Sequence, residues 1–168
     1  MPVDSRIAVY TGSFDPISLG HLNVIERASR LVDKLIVGIG VNLDKQSLFT
    51  PEERVDLVRQ VTGRLGNVEV KTFTGLAVHF VRESGARVIV RGIRTLTDVE
   101  TEFTMTLANR KLDPGIETLF LMSDEEFSHV SSTLIKQITP LATDEELARF
   151  VPPELIPAIR AKVAAAAV

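Results

Sequence analysis

Apolar and polar residues alternate along the chain in two patterns, one typical of buried strands and the other of amphipathic helices. The continuous apolar run 34–41 is typical of a strand that is buried on both faces. Leu22, Ile25 and Ala28 recur at helical spacing and predict a helix with one apolar face. The pattern predicts strands at 7–10, 34–41, 68–73, 88–90 and 118–122. It predicts helices that begin near 20 and 50, a short helix at 76–81, and helices at 98–111, 131–138, 143–150 and 153–166.

Strands and helices therefore alternate along most of the chain. Such alternation predicts βαβ units, which form a parallel sheet through right-handed crossovers. The helix near 50 has the clearest start, with Thr50 as the N-cap, Pro51 at the first position and Glu53 three residues after the cap. We expect one doubly wound, Rossmann-like α/β domain over residues 1–168, with a five-stranded parallel sheet and a helical C-terminal segment.

The composition is that of a compact globular protein: 168 residues, 45% of them hydrophobic, with a formal net charge of −3. No apolar run approaches the roughly 18 residues that a membrane span needs, so we expect no membrane partner. The acidic balance argues against a broad nucleic-acid-binding surface. The absence of cysteine excludes disulfides and thiolate metal sites, and it fits a cytoplasmic protein.

The loop between the first predicted strand and the first helix contains most of the candidate chemistry. It reads Gly12-Ser13-Phe14-Asp15-Pro16, and the helix opens near His21. This junction lies at the carboxyl end of a strand, where the unpaired N–H groups of a helix N-terminus suit a phosphate. His21 would direct its imidazole at such a ligand. The loop matches neither the Walker pattern nor G-x-G-x-x-G. We interpret Asp15 as a turn-forming residue.

Polar residues also follow the other predicted strands. Lys45 follows the second strand, Arg91 and Arg94 follow the fourth, and the polar segment 123–133 follows the fifth. Because the carboxyl ends of parallel strands share one edge of the sheet, these residues would converge on the loop after the first strand. One lysine, two arginines and several hydroxyls at a helix N-terminus predict a polyphosphate-binding site.

Four separated motifs keep the order and approximate spacing of one known family. They are Gly12-Ser13-Phe14-Asp15-Pro16 with Ser18-Leu19-Gly20-His21, Arg91-Gly92-Ile93-Arg94, Asp98-Val99-Glu100-Thr101-Glu102, and Val130-Ser131-Ser132-Thr133-Leu134-Ile135-Lys136. Over nearly the whole chain they resemble the bacterial phosphopantetheine adenylyltransferases of the nucleotidylyltransferase superfamily. Ser18 keeps a hydroxyl where this family usually has threonine. Val99 and Thr101 replace aromatic residues. His129 stands where an aromatic residue is usual, so we interpret it as a stacking or packing residue and not as an acid or base.

The resemblance implies adenylyl transfer from ATP to 4′-phosphopantetheine, which gives dephospho-coenzyme A and pyrophosphate. The catalytic residues that it implies are His21, Lys45, Arg94 and Ser13. The ATP-binding residues that it implies are Ser13, Phe14, His21, Gly92, Ile93, Arg94, Glu102, Phe127, Ser128, His129, Val130, Ser131, Ser132 and Thr133. The substrate-binding residues that it implies are Ser13, Lys45, Leu76, Ala77 and Arg91.

The resemblance also implies magnesium bound to the triphosphate with no metal motif in the protein, a homohexamer, and feedback inhibition by coenzyme A. Two alternatives stay open. The chain could be another adenylyl- or cytidylyltransferase, acting on nicotinate mononucleotide, phosphocholine or glycerol phosphate; the Arg91–Arg94 motif and Leu76-Ala77 argue against this. It could also be a nucleotide-binding regulatory module without catalysis, and the presence of both His21 and Lys45 argues against that.

Overall fold

The sheet has the predicted parallel architecture. The structure is a computed structural model that describes residues 6–42 and 46–166. Its sheet has five strands in the order β3-β2-β1-β4-β5. They are β1 (Ile7–Gly12), β2 (Lys34–Val41), β3 (Val68–Thr74), β4 (Val88–Ile93) and β5 (Glu117–Met122). The strand order changes direction between β1 and β4, as it does in doubly wound folds, so the predicted Rossmann-like fold is confirmed.

The helices lie close to their predicted positions. They are α1 (Leu19–Ser29), α2 (Pro51–Thr62), α3 (Ala77–Glu83), α4 (Leu96–Leu112), α5 (Ser132–Ile138), α6 (Asp144–Leu147) and α7 (Ile156–Ala166). Two of the C-terminal helices differ from the predicted ones. The helix predicted at 143–150 is only the single turn of α6, and the one predicted at 153–166 begins as a short 3-10 turn at Pro153–Leu155.

Capping residues fix where two of the helices begin. Thr50 accepts a hydrogen bond from the Glu53 N–H (3.2 Å), and Glu53 accepts one from the Thr50 N–H (2.8 Å). This reciprocal pair confirms the predicted start of α2. Thr95 and Asp98 form the same arrangement. The fourth helix therefore begins at Leu96, two residues earlier than the apolar pattern predicted.

The sheet is covered on both faces by apolar layers. Ala8 and Tyr10 of β1 belong to one layer, which includes buried residues of α1, α2 and the C-terminal helices. Val9 belongs to the other layer, together with Val78 and Val81 of α3. This alternation follows from the two-residue period of a strand. The loops that follow β1, β2 and β4 therefore rise from strands with buried residues, whereas the edge strand β5 is exposed or half-buried throughout.

The fourth helix differs from the others because it has no buried residue. It nevertheless carries several exposed apolar side chains, namely Leu96, Val99, Phe103, Met105, Leu107 and Leu112. An exposed apolar surface of this kind is uncommon on a monomeric protein. Over the described ranges, no helix combines the length and the apolar character that crossing a bilayer requires.

Candidate active site

A cavity of about 400 Å³ opens at the carboxyl edge of the sheet, where β1 and β4 are neighbours. Most of the residues that the sequence singled out line it together. They are Ser13, Phe14, His21, Arg91, Gly92, Arg94, Glu102, Val130, Ser131, Ser132 and Thr133. Residues separated by up to 120 positions thus surround one cavity, as the topology of a parallel sheet predicted.

Those of the remaining candidates that the structure describes do not line this cavity. Lys45 lies outside the described residues. Ile93 is buried at the end of β4, and Leu76 and Ala77 lie where β3 leads into α3. The others not among the lining residues are Phe127, Ser128 and His129. His129 is exposed and contacts Phe150 edge-to-face, with ring centroids 5.6 Å apart.

His21 is oriented by the residue that caps its own helix. Ser18 is the N-cap of α1, and its hydroxyl accepts a hydrogen bond from the His21 N–H (3.2 Å). In return, the Ser18 N–H donates to His21 Nδ1 (3.2 Å). Because Nδ1 accepts this bond, the proton of the neutral ring is on Nε2. His21 therefore presents an N–H donor from the far side of its ring.

The surroundings of His21 favour its neutral form. Burial lowers its pKa, and the positive charges of Arg94 and Arg91 lower it further, to about 4. A neutral imidazole can donate one hydrogen bond from Nε2 without taking part in proton transfer. In the ligand-free protein the residue is thus a fixed hydrogen-bond donor at neutral pH.

This lowered pKa predicts a pH dependence of stability. Between the ordinary histidine pKa of 6.5 and the folded-state value of about 4, an unfolded chain binds a proton at His21 and the folded chain does not. The free energy of unfolding should therefore fall as the pH is lowered from 6.5 towards 4. Urea unfolding at several pH values checks this. His21→Asn, which retains an acceptor for the Ser18 N–H, should show a smaller fall; an identical profile would contradict the assignment.

Arg91 is held between the strand ends and α4. Its Nε donates to Glu102 (2.7 Å), and its Nη1 donates to the carbonyl and the hydroxyl of Thr11. Burial lowers the pKa of Arg91, but the hydrogen bond and charge of Glu102 more than compensate, and the pKa is raised. The guanidinium is therefore permanently charged and fixed beside the end of β1.

Arg94 is fixed in a similar way by Asp98, near the start of α4. Its Nε and Nη2 donate to Asp98 at 3.1 and 3.2 Å, and its Nη1 donates to the Val130 carbonyl (2.7 Å). Burial raises the pKa of Asp98, but the bonds from Arg94 outweigh it and keep that pKa below its ordinary value. Arg94 thereby connects α4 to the segment that precedes Ser131.

Gly92, between the two arginines, allows a close approach of β4 to α1. A Cβ at this position would lie 2.9 Å from a methyl carbon of Val24, closer than side chains normally approach. A larger residue would push α1 away from β4. Since α1 carries His21, the glycine sets the distance between the histidine and the arginines.

Asp15 connects three segments around the cavity. It accepts hydrogen bonds from the N–H groups of Leu48 and Phe49, both at 2.8 Å, and it pairs with Lys136 of α5 at 2.7 Å. Burial raises its pKa, but the Lys136 bond and the two N–H bonds outweigh it, so the pKa is lowered. These bonds support the interpretation of Asp15 as a structural residue, although its partners lie far outside its own turn.

No site role was predicted for several residues that line the cavity: Tyr10, Thr11, Ser18, Gln46, Ser47, Asp98 and Lys136. Two of them carried a usable signal. Asp98 stands three residues after Thr95 in a capping pattern, and Lys136 is the last residue of the fourth motif. Gln46 and Ser47 had no signal, and the long-range bonds next to them in the chain are those from Leu48 and Phe49 to Asp15.

Comparison with known proteins identifies the family. A cytidylyltransferase-like family model matches residues 9–138. The phosphopantetheine adenylyltransferase of Rhodopirellula baltica is 63% identical over 96% of this chain and 91% of its own length. The phosphopantetheine adenylyltransferase of Clostridium botulinum is 47% identical over 94% of this chain and 95% of its own. The chain belongs to the phosphopantetheine adenylyltransferase family. It is therefore a nucleotidyltransferase.

Solved structures share the fold of this phosphopantetheine adenylyltransferase family member at much lower identity. A nicotinic acid mononucleotide adenylyltransferase of Plasmodium falciparum complexed with NaAD has a TM-score of 0.69 at 14% identity, over 92% of this chain and 94% of its own. A putative nicotinate-nucleotide adenylyltransferase of Vibrio parahaemolyticus has a TM-score of 0.65 at 19% identity, over 92% and 91%. At such low sequence identities, these structures show only that the fold is shared.

Proposed function

We propose that the chain transfers the adenylyl group of ATP to 4′-phosphopantetheine in coenzyme A biosynthesis, giving dephospho-coenzyme A and pyrophosphate. The observation that carries this proposal is one cavity in which a neutral histidine, two fixed arginines and a cluster of hydroxyls meet at a strand edge. The names of the 63% and 47% identical relatives support the choice of acceptor.

The reaction requires placement rather than acid–base chemistry. An oxygen of the acceptor phosphate, already ionised near neutral pH, attacks the α-phosphorus of ATP. The bond between that phosphorus and the oxygen leading to the β-phosphorus breaks, and pyrophosphate leaves with its electron pair. Catalysis then depends on in-line placement and on stabilising the charge that spreads over the α-phosphate.

We propose that His21 and Ser13 bind the α-phosphate of ATP. The Nε2–H of His21 would donate to a non-bridging α-phosphate oxygen, since the Nδ1 side is occupied by the Ser18 N–H. The exposed Ser13 hydroxyl, in the loop before α1, would donate to the same oxygens. The His21 donor is oriented before the reaction, which is the condition under which hydrogen bonds lower a barrier most.

The remaining sites divide between the nucleotide and the acceptor. Arg94 and the hydroxyls of 131–133 would hold the β- and γ-phosphates. Arg91 would face the acceptor phosphate, and Lys45 would orient it. Leu76-Ala77 would contact the pantetheine arm, at the carboxyl end of β3. The further ATP contacts that we propose are those of Phe14, Gly92, Ile93, Glu102, Phe127, Ser128, His129 and Val130.

Magnesium fits this chain as a partner of the triphosphate. Among the described residues there is no group of three or more His, Cys, Asp or Glu side chains that could hold a metal ion. The cavity carboxylates of Asp15, Asp98 and Glu102 are each paired with a cation. When bound, the ion would neutralise charge on the phosphates, and this chain's hydroxyls and arginines would position the oxygens around it.

Pyrophosphate release from purified protein tests the proposed acceptor. We expect release with ATP, magnesium and 4′-phosphopantetheine, and no release with ATP and magnesium alone. Nicotinate mononucleotide and phosphocholine, each tested in place of 4′-phosphopantetheine, serve as control acceptors. Release with either of these in place of phosphopantetheine would overturn our assignment of Arg91 and Leu76-Ala77. Protein that binds ATP but releases nothing with any acceptor would point to a regulatory module.

We also propose that the chain works as a homohexamer in the cytoplasm and that coenzyme A inhibits it. The apolar side chains that α4 exposes support an assembly of copies, since they have no cover in one chain. Coenzyme A shares its pantetheine arm and adenylyl group with the product, so it would compete for the same cavity. Titrating coenzyme A against both substrates would measure this.

Assembly through α4 gives a further prediction. Phe103 is 58% exposed on this helix, so Phe103→Lys should reduce the mass of the particle in light scattering. Leu141→Lys is the control, because Leu141 is an apolar residue, 89% exposed in the loop between α5 and α6. The control should keep the wild-type mass. An unchanged mass for Phe103→Lys would exclude this face as an interface.

A further inference from the structure

Among the described residues that line the cavity, positively and negatively charged side chains are equal in number. Its cations are Arg91, Arg94 and Lys136. Each of these three is paired with a carboxylate of the same lining, namely Glu102, Asp98 and Asp15 respectively. A cavity that binds several phosphate groups needs an excess of positive charge. The described lining does not supply that excess by itself.

An arginine lies directly behind the loop that borders the cavity. Arg54, in the first turn of α2, is 3% exposed. Its Nη1 donates to the carbonyl of Ser13 (2.9 Å) and to the carbonyl of Gly40 (3.2 Å). These two carbonyls lie just after β1 and near the end of β2. The guanidinium therefore lies at the strand ends and contacts Ser13, the loop residue that we propose binds the α-phosphate.

Arg54 forms no ion pair with any carboxylate that the structure describes. Its hydrogen bonds within 6–42 and 46–166 go only to neutral carbonyls, and its buried Nε has no hydrogen-bond partner there. It also stands at the N-terminal end of a helix, where the helix dipole is positive and a cation is unfavourable. A buried charge with no counter-charge is costly, so fold stability alone gives little reason for an arginine here.

We infer that Arg54 is a positioning residue that supplies uncompensated positive charge to the phosphates bound in the cavity. Its side chain does not line the cavity, so it acts through the Ser13 loop and through the field, not by touching the ligand. The ligand phosphates would then supply a counter-charge that no described carboxylate gives this guanidinium through an ion pair. Because the charge is buried, salt screens its effect on the ligand much less than that of a surface charge.

The inference rests on the proposed function, and two variants separate charge from hydrogen bonding. Arg54→Lys keeps the charge, whereas Arg54→Gln is neutral but keeps N–H donors for the two carbonyls. ATP and adenosine are the probes, with binding measured by calorimetry in the full-length protein. The control is Arg59→Gln, the same change of charge on an exposed arginine of α2 that donates to the Val70 carbonyl.

Arg54→Gln should weaken ATP binding by about tenfold, as expected for one nearby charge at an intermediate dielectric, and should leave adenosine binding within about twofold. Arg54→Lys should stay within about threefold of wild type for ATP, and Arg59→Gln within about twofold, because exposed charges are screened. If Arg54→Gln does not fold, Arg54→Met replaces it as the neutral variant.

Two results would overturn the inference. One is ATP binding by the neutral variant that equals or exceeds that of Arg54→Lys. The other is an equal loss of ATP and adenosine binding, which would mean that Arg54 acts only on the shape of the site. Wild-type protein that binds no ATP would instead refute the proposed function, and this inference with it.

Discussion

His21→Ala is expected to lower kcat by about 10²–10³-fold, the usual effect of losing one hydrogen-bond donor to a transition state. The dissociation constant of ATP should change by less than about threefold, because the donor acts on charge that develops during the transfer. Steady-state pyrophosphate release and calorimetry with ATP measure the two quantities. His21→Gln, whose amide can donate from a similar position, should lose less activity than His21→Ala.

His79→Ala is the matched control for His21, because His79 is exposed on α3 and does not line the cavity. Its kcat should equal that of wild type. An unchanged kcat for His21→Ala together with a large loss of ATP affinity would contradict the assigned role. His21 would then be a ground-state binding residue, and the stabilisation of the α-phosphate would have to come from other residues.

Asp15→Ala is expected to lower the free energy of unfolding by about 2–3 kcal/mol, because two N–H groups lose their acceptor and the partly exposed Lys136 loses its partner. The change leaves Lys136 without its carboxylate and leaves the N–H groups of Leu48 and Phe49 without their acceptor. Because the pKa of Asp15 is lowered in the folded state, this contribution is present above the ordinary value of 3.8 and is lost as the pH falls below it.

Urea unfolding at pH 7 measures this effect, with Asp144→Ala as the control. Asp144 pairs with Arg160, but its side chain is 72% exposed, so its loss should cost less than about 1 kcal/mol. Asp15→Ala combined with Lys136→Met should recover part of the stability, since the unpaired charge is then gone. A loss below 1 kcal/mol for Asp15→Ala alone would mean that Asp15 does not hold these three segments together.

The fold could be predicted from local patterns because its strands and helices carry them strongly. The apolar run of β2 and the Thr50 cap of α2 needed no knowledge of the rest of the chain. The length of α6 was wrong, since its few residues carry little periodicity and its packing comes from other helices. Local signals determine which elements exist more firmly than where short ones end.

The cavity could be predicted only as far as topology allowed. Parallel strands bring their carboxyl ends together, which is why Ser13, His21 and Arg94 were correctly expected on one edge. The pairing of Asp15 with Lys136 joins positions 121 residues apart, and no local pattern encodes it. Arg54 was missed for a related reason. Arginines are mostly exposed, so a helical pattern predicts Arg54 on the surface. Only the folded structure shows that it is buried.

The position of a label after the reaction tests the central claim most directly. ATP labelled at the α-phosphorus and ATP labelled at the γ-phosphorus are each incubated with magnesium, 4′-phosphopantetheine and the wild-type protein. Adenylyl transfer predicts the α label in the organic product and the γ label in pyrophosphate, with both yields falling together in His21→Ala. The γ label in the organic product, or its release as single phosphate, would contradict adenylyl transfer at this site.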